Sequence, residues 1–293
     1  MFSKKARLWL GLVVVLGLMS FASSCGGTKT TDENTGDNGA AGKKFAPKGD
    51  EGTVTGSIAY TGTAPEAKKI DTSADAACSS KSPNLVAEDW AVKDGKVANT
   101  FVYIKEGTLA DGSKVGDWAF DTPTTPVVLD QDGCHYRPHV MGVMVKQDIS
   151  IKNSDPTVHN IHFTPKNNPD WNQSQPNGAA PMTHKLNSAE VLVPVKCNQH
   201  PWMKAYVGVL KHPFFAVSAE NGTFTIKGVP PGKYTVVAWH EGPGNGTEKT
   251  LEVTVPAKGS ATADFTFGSA AALRGQPSSM PVVAAIEFPM IKH

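Results

Sequence analysis

The sequence predicts an all-β protein built of sandwiches, and three observations lead there. Twenty-eight glycines and 21 prolines in 293 residues are too many for a helical protein, and 40 % apolar residues are too many for a disordered one. From residue 52 onward, short alternating apolar stretches are separated by Gly, Pro, Asn and Asp, the pattern of strands joined by turns. No stretch holds a 3.6-residue apolar period over three turns, and only residues 269–280 read as a short helix.

Taken from the N-terminus, Lys4, Lys5 and Arg7 precede an apolar run from Leu8 to Met19. That run is short of the roughly 20 residues that cross a bilayer and suits an export signal. Ala22-Ser23-Ser24 then lead into Cys25-Gly26-Gly27. The junction resembles a bacterial lipobox, with Ala22 where Leu is usual. The resemblance implies that residues 1–24 are removed, that Cys25 carries lipid, and that the protein sits in the periplasm or at the cell surface, anchored to a membrane. Ordinary cleavage after Ser24 satisfies the same small residues. Residues 25–51 are polar and Gly-rich, too poor in apolar surface to offset ordering entropy, and read as a flexible tether. Without Lys4, Lys5 and Arg7, 25 basic residues face 27 acidic ones. A balance near −2 lacks the basic excess of a nucleic-acid binder.

Strands are expected at residues 54–60, 101–104, 143–151, 158–163, 191–197, 205–210, 223–226, 234–239 and 251–255. Many short strands with turn chemistry between them indicate β-sandwiches, and the length suits two.

Chemistry concentrates in Cys197-Asn198-Gln199-His200-Pro201-Trp202-Met203 and in His159-Asn160-Ile161-His162 upstream. A thiolate, two imidazoles and a thioether form the donor set of a blue-copper electron-transfer site. Cys and two His supply a trigonal plane and Met a weak axial ligand. Soft sulfur favours Cu(I) and imidazole tolerates Cu(II), so one cage serves both states. Alternation selects His159, which shares a face with Ile161 and Phe163, while Asn160 and His162 point the other way. The same count places Cys197 with Val195, Val193 and Val191. Zinc suits the set less, because Met is a poor fourth ligand.

Here the sequence resembles the cupredoxins, the small type 1 blue copper proteins. Cys197-x-x-His200-x-x-Met203 has the amicyanin-like spacing, and residues 158–163 look like the family strand that bears the first histidine. The resemblance spans about residues 126–211. It implies copper held by His159, Cys197, His200 and Met203, with Asn160 hydrogen-bonded across to the ligand loop. Pro201 and Trp202 would then form the docking patch, and His200 would be the ligand nearest solvent. The departure is Val193-Pro194-Val195-Lys196, where the family favours aromatic residues and Gly.

Of the four cysteines, Cys25 falls to lipid and Cys197 to metal, which leaves Cys78 and Cys134 for a disulfide in an oxidising compartment. The alternative is a second metal at Cys134 with His135 and His139. His162, His184 and His212 show no ligand spacing, and His240 reads as structural.

Residues 220–234, with Asn221-Gly222 and Pro230-Pro231-Gly232 turns around a strand, resemble the carboxypeptidase regulatory-like, transthyretin-like sandwich. Its opening strands would lie before the copper region. The expected organisation is thus a discontinuous sandwich of residues 52–112 and 213–268, a cupredoxin domain at 113–212, and a tail at 269–293.

The function expected from these features is single-electron transfer. The resemblance implies a c-type cytochrome or periplasmic oxidoreductase as partner. A copper-handling protein and a scaffold with a structural copper site are the alternatives. Copper oxidases and nitrite reductases need further centres with clustered His-x-His motifs, and the sequence has none, so no enzyme activity is expected.

Overall fold

The computed structural model describes residues 42–242 and 246–268. The export signal, Cys25, most of the tether and the 269–280 helix lie outside the described residues.

Strand Gly52–Thr61 organises the first sandwich. It pairs antiparallel with Thr223–Val229 and Lys96–Val97, and parallel with Ser260–Thr262 and Phe265–Gly268. The facing sheet runs in the order Phe215–Val217, Phe101–Leu109, Gly232–His240 and Thr247–Val255. Val54, Ile58, Ile104, Val236, Ile226 and Phe267 fill the space between them. At Gly56 a Cβ would stand 1.9 Å from the Ala263 carbonyl oxygen, so only glycine lets these backbones meet.

The second sandwich carries His159 and the Cys197–Met203 segment. One sheet has the order Trp171–Gln175, His159–Phe163, Glu190–Lys196, Lys204–Leu210 and Val140–Met144. The other has the order Met182–His184, Ile149–Asn153, Val127–Gln131 and Tyr136–Arg137. Leu129, Ile149, Ile151, Ile161, Phe163, Val193 and Val195 form its core. A smaller cluster of Phe101, Tyr103, Val140, Leu210, Val237 and Trp239 joins strands of both sandwiches. Phe101 fits because Gly142 and Gly208 lie against its ring.

The all-β expectation holds, with one helix, Ala76–Lys81, and one 3-10 turn among the described residues. Several local expectations need correction. The run 143–151 is two strands, Val140–Met144 and Ile149–Asn153, because Lys146 turns the chain at φ +67°. A register shift between Glu190 and Val193 removes Val191 from the apolar face, and it packs with Leu192 at the junction cluster instead.

The tether is ordered at its end. Lys43–Lys44 pairs with Trp118–Ala119, and Phe45 packs on Trp118, Phe120 and Phe214. Val115 and Trp118, assigned from the sequence to the copper-binding half, also belong to the first sandwich's core.

The largest correction concerns residues 62–90. Expected in the first sandwich, much of this excursion lies on the second, where Ile70, Cys78 and Leu85 join its core. A Cys78–Cys134 disulfide fastens it across 56 positions of sequence. Asp75 caps helix Ala76–Lys81 by accepting from the amides of Ala77 and Cys78. Lys81 is anchored on Asp132 at 2.6 Å and Asp155 at 2.8 Å.

Candidate metal centre

His159 opens strand His159–Phe163 on its buried face, beside Ile161 and Phe163. Cys197 directly follows strand Glu190–Lys196, below buried Val193 and Val195. The chain then turns through Asn198–Trp202. The loop is closed by the Met203 amide on the His200 carbonyl at 2.8 Å and the Cys197 amide on the Met203 carbonyl at 3.2 Å. Asn160 ties loop to strand, since its Oδ1 accepts from the Asn198 amide at 2.7 Å and lies 3.3 Å from Cys197 Sγ.

These elements bring His159, Cys197 and His200 together, with one donor atom of each within 4.8 Å of the others. The two Nδ1 atoms are 2.9 Å apart, and His200 Nδ1 is 3.6 Å from Cys197 Sγ. Each imidazole has a carboxylate behind it. His159 Nε2 meets Asp155 Oδ2 at 2.9 Å, and His200 Nε2 meets Asp75 Oδ2 at 3.1 Å. A carboxylate that accepts the Nε2 proton leaves the Nδ1 lone pair to face inward and raises its basicity. Asp155 and Asp75 were not anticipated. The sequence signal for Asp155 is an Asn-Ser-Asp turn just before the histidine strand, whereas nothing in the sequence links Asp75 to residues more than a hundred positions away.

Electrostatics favour the anionic donor. Burial opposes ionisation of Cys197, but hydrogen bonds from His159, the Asn160 backbone, His200 and the Gln199 backbone outweigh it and bring the thiol to about 6. Burial lowers His159, yet Asp155 and Cys197 reverse this and raise it to about 9. Burial likewise opposes the charge on Asp155, which His159, Lys81 and the amides of Cys134 and Gly133 hold below the usual carboxylate range.

One soft sulfur held toward its thiolate and two imidazole nitrogens, buried and aimed at one space, fit a copper ion held by thiolate and imidazole, whose binding displaces the protons these donors carry. Met203 is fully buried within the same loop and core.

The surroundings of His200 differ from expectation. It does not face solvent. Only 4 % of it is exposed, because Asp75 and the disulfide-fastened excursion lie over its Nε2 edge. Pro201 is exposed, whereas Trp202 is half-buried, donates from Nε1 to the Cys134 carbonyl at 3.1 Å, and has its ring 5.1 Å from that of His200. With Cys134 in a disulfide, the alternative of a Cys134 thiol ligand falls.

Comparison with known proteins gives partial likenesses. Residues 198–263 match the family model of polysaccharide lyase family 4, domain II, a stretch that includes the 220–234 segment read as carboxypeptidase regulatory-like. Among solved structures, the Cu-containing nitrite reductase of Thermus scotoductus SA-01 is 18 % identical over 29 % of this chain, with TM-score 0.27. The chain spans only 22 % of that enzyme's length. A purple cupredoxin from Nitrosopumilus maritimus is 19 % identical over 28 % of this chain and 98 % of its own, with TM-score 0.25. An oxidized amicyanin variant is 21 % identical over 29 % and 81 % respectively, with TM-score 0.26. No curated protein matches the chain.

Proposed function

We propose that this is an exported, lipid-anchored blue-copper protein that passes single electrons between periplasmic redox partners, such as a c-type cytochrome or an oxidoreductase, and that it is a carrier and not an enzyme. The observation that carries the reading is the buried convergence of His159 Nδ1, His200 Nδ1 and Cys197 Sγ, with a carboxylate behind each imidazole. His159, Cys197 and His200 would hold the ion, with Met203 as the weak axial ligand. When bound, copper supplies a one-electron couple between Cu(I) and Cu(II).

The protein's own residues do the rest. Asp155 and Asp75 fix the imidazole tautomers and orientations. Asn160 locks the ligand loop to the strand, so the donors hold their places. Burial of all three donors excludes water. Exposed Pro201 and the free edge of Trp202 offer the docking contact.

The test is the visible spectrum of the copper-loaded mature chain. An intense thiolate-to-copper band is expected, absent in Cys197→Ser and kept in His162→Ala, whose ring is engaged by Asp170 and Asn198. Colour retained in the Cys197 variant would overturn the assignment. For the anchor, Cys25→Ser should release the protein in soluble form, and unchanged partition into detergent would count against it.

A second reading, a copper-holding protein without electron exchange, is favoured by the cover over His200. Reversible voltammetry separates the two, since a holder of Cu(I) has neither the colour nor a reversible wave.

A further inference from the structure

Beside the ligand loop lies a separate cleft of about 260 Å³, walled by Glu88, Asp89, His135, His139, Trp202 and Lys204. His135 and His139 are 4 % and 3 % exposed. Both present Nδ1 to the same carboxylate oxygen: Glu88 Oε2 lies 3.2 Å from His135 Nδ1 and 3.5 Å from His139 Nδ1. Yet among the described residues His139 Nδ1 and Glu88 Oε2 are buried polar atoms with no hydrogen-bond partner. Such orphans cost about 1–3 kcal/mol each, so a native protein that keeps two of them face to face has something to put between them.

The chemistry around the orphans specifies what. His139 Nε2 is hydrogen-bonded to Glu241. Burial opposes ionisation of Glu241, but His139 and Lys204 outweigh it and hold its carboxyl at about 2. A carboxylate only accepts, so the Nε2 that meets Glu241 carries a proton and Nδ1 is the nitrogen that faces the cleft. This carboxylate-backed histidine is the arrangement that orients metal-binding imidazoles, and it is also the one seen at His159 and His200. Burial lowers the pKa of His135 against the opposing pull of Glu88.

Two of the three donor separations match one ion. Donors bound tetrahedrally at about 2.0–2.1 Å stand about 3.3 Å apart, and the distances from Glu88 Oε2 to the two imidazoles bracket that value, whereas the two Nδ1 atoms stand more than 4.8 Å from each other. Net charge also agrees, because Glu88, Asp89 and Glu241 outnumber Arg137 and Lys204 by one.

We infer that this cleft is a second metal site, in which Glu88 Oε2, His135 Nδ1 and His139 Nδ1 bind one divalent first-row transition metal ion and leave its remaining positions open to the cleft. Two imidazoles and a carboxylate select the zinc, iron(II) or copper(II) class over calcium and magnesium. The imidazoles approach the carboxylate and not each other, so capture of the ion must draw the two rings together across Glu88. Asp89 and Lys204 line the open side, and Trp202 gives this site and the Cys197–Met203 loop a common wall.

The experiment is zinc titration of the full mature chain, read as bound zinc per chain after dialysis and as the zinc-induced rise in melting temperature. It is run on copper-loaded protein and on Cys197→Ser, so that failure of the first site does not mask the second. One zinc per chain is expected in both. Affinity should fall at least tenfold in His135→Ala and in Glu88→Gln, and the zinc-induced rise should vanish, while His162→Ala behaves as wild type. Glu241→Gln, which leaves all three donors in place, should weaken binding roughly 10–100-fold. Absence of a zinc equivalent in wild type, or equal binding in His135→Ala and Glu88→Gln, would overturn the site and leave a buried ion-pair network only. Melting each variant without metal separates misfolding from lost binding, and Glu88→Gln, nearly the same size as the residue it replaces, is the variant expected to keep the metal-free stability.

Discussion

Removing the Cys78–Cys134 bond with the double variant Cys78→Ala and Cys134→Ala should cost about 4 kcal/mol. Closing the 56-residue separation restricts the unfolded chain by roughly 14 cal/mol/K, which is about 4 kcal/mol at room temperature. Both cysteines are fully buried in one core, so lost packing adds to this figure. Urea unfolding at neutral pH without reductant, followed by tryptophan fluorescence, reads it directly. With a slope of about 2–3 kcal/mol per molar, the midpoint should fall by roughly 1.5 M. The same loss should appear in wild type when reductant is added, and a shift worth less than about 1 kcal/mol would refute the reasoning.

The bond has a local consequence as well. Helix Ala76–Lys81 has six residues, too few to persist unaided. It is held by the disulfide, by Lys81 on Asp132 and Asp155, by Ser82 Oγ on the Gly133 carbonyl and by Thr157 on Asp75. Without the disulfide this excursion should open more often and expose the His200 edge, seen as faster carbethoxylation of His200 than in wild type. An unchanged rate would mean that the polar contacts alone keep the cover closed.

Three further outcomes follow from named contacts. Asp75→Ala should lose about 2 kcal/mol, from a helix cap of about 1 and a stranded Thr157 hydroxyl of about 1, whereas Asp75→Asn, still a capping residue, should lose less than half of that; equal losses in urea would refute the capping role. Gly56→Ala should cost about 1–3 kcal/mol, because its Cβ falls on a backbone oxygen of Ala263, and an unchanged midpoint would sink that reading. His212 is lowered to about 4, chiefly by burial, against 6.5 when unfolded, so between these values the unfolded chain binds the extra proton and stability falls as pH falls. The loss reaches about 3 kcal/mol near pH 4, and His212→Leu should flatten the pH dependence of the urea midpoint by about one proton.

What was legible in the sequence was whatever alternation could carry. His159, Ile161 and Phe163 are buried on their strand, as are Val193, Val195 and Cys197 on theirs, while Pro194 and Lys196 face solvent. The period failed where the backbone broke it, at the shift between Glu190 and Val193 and at the left-handed Lys146. Residues 62–90 carry no period, since they are shaped by a covalent tie and by polar contacts to distant turns, so their docking on the second sandwich had no local signal. The same holds for Asp75 behind His200 and for Glu88 and Glu241 on either side of His139. Each pairing spans about 50 to 125 positions and exists only once the sheets have folded.

Those distant partners meet at the end of the Cys197–Met203 loop. Lys204 follows Met203 directly and is held by Asp89 of the excursion and by Glu241 at the end of a first-sandwich strand. Burial penalises its charge, but Asp89 and Glu241 outweigh this and raise its pKa, so it stays a cation across the accessible pH range. One side chain therefore ties the excursion, the first sandwich and the residue after the loop's last sulfur. Glu241 in turn holds His139, and Trp202 holds the Cys134 carbonyl. The loop is fixed from outside the sandwich that carries it, which gives the two sandwiches a physical reason to share one chain: strand Gly232–His240 delivers Glu241 to the place where it braces both Lys204 and His139.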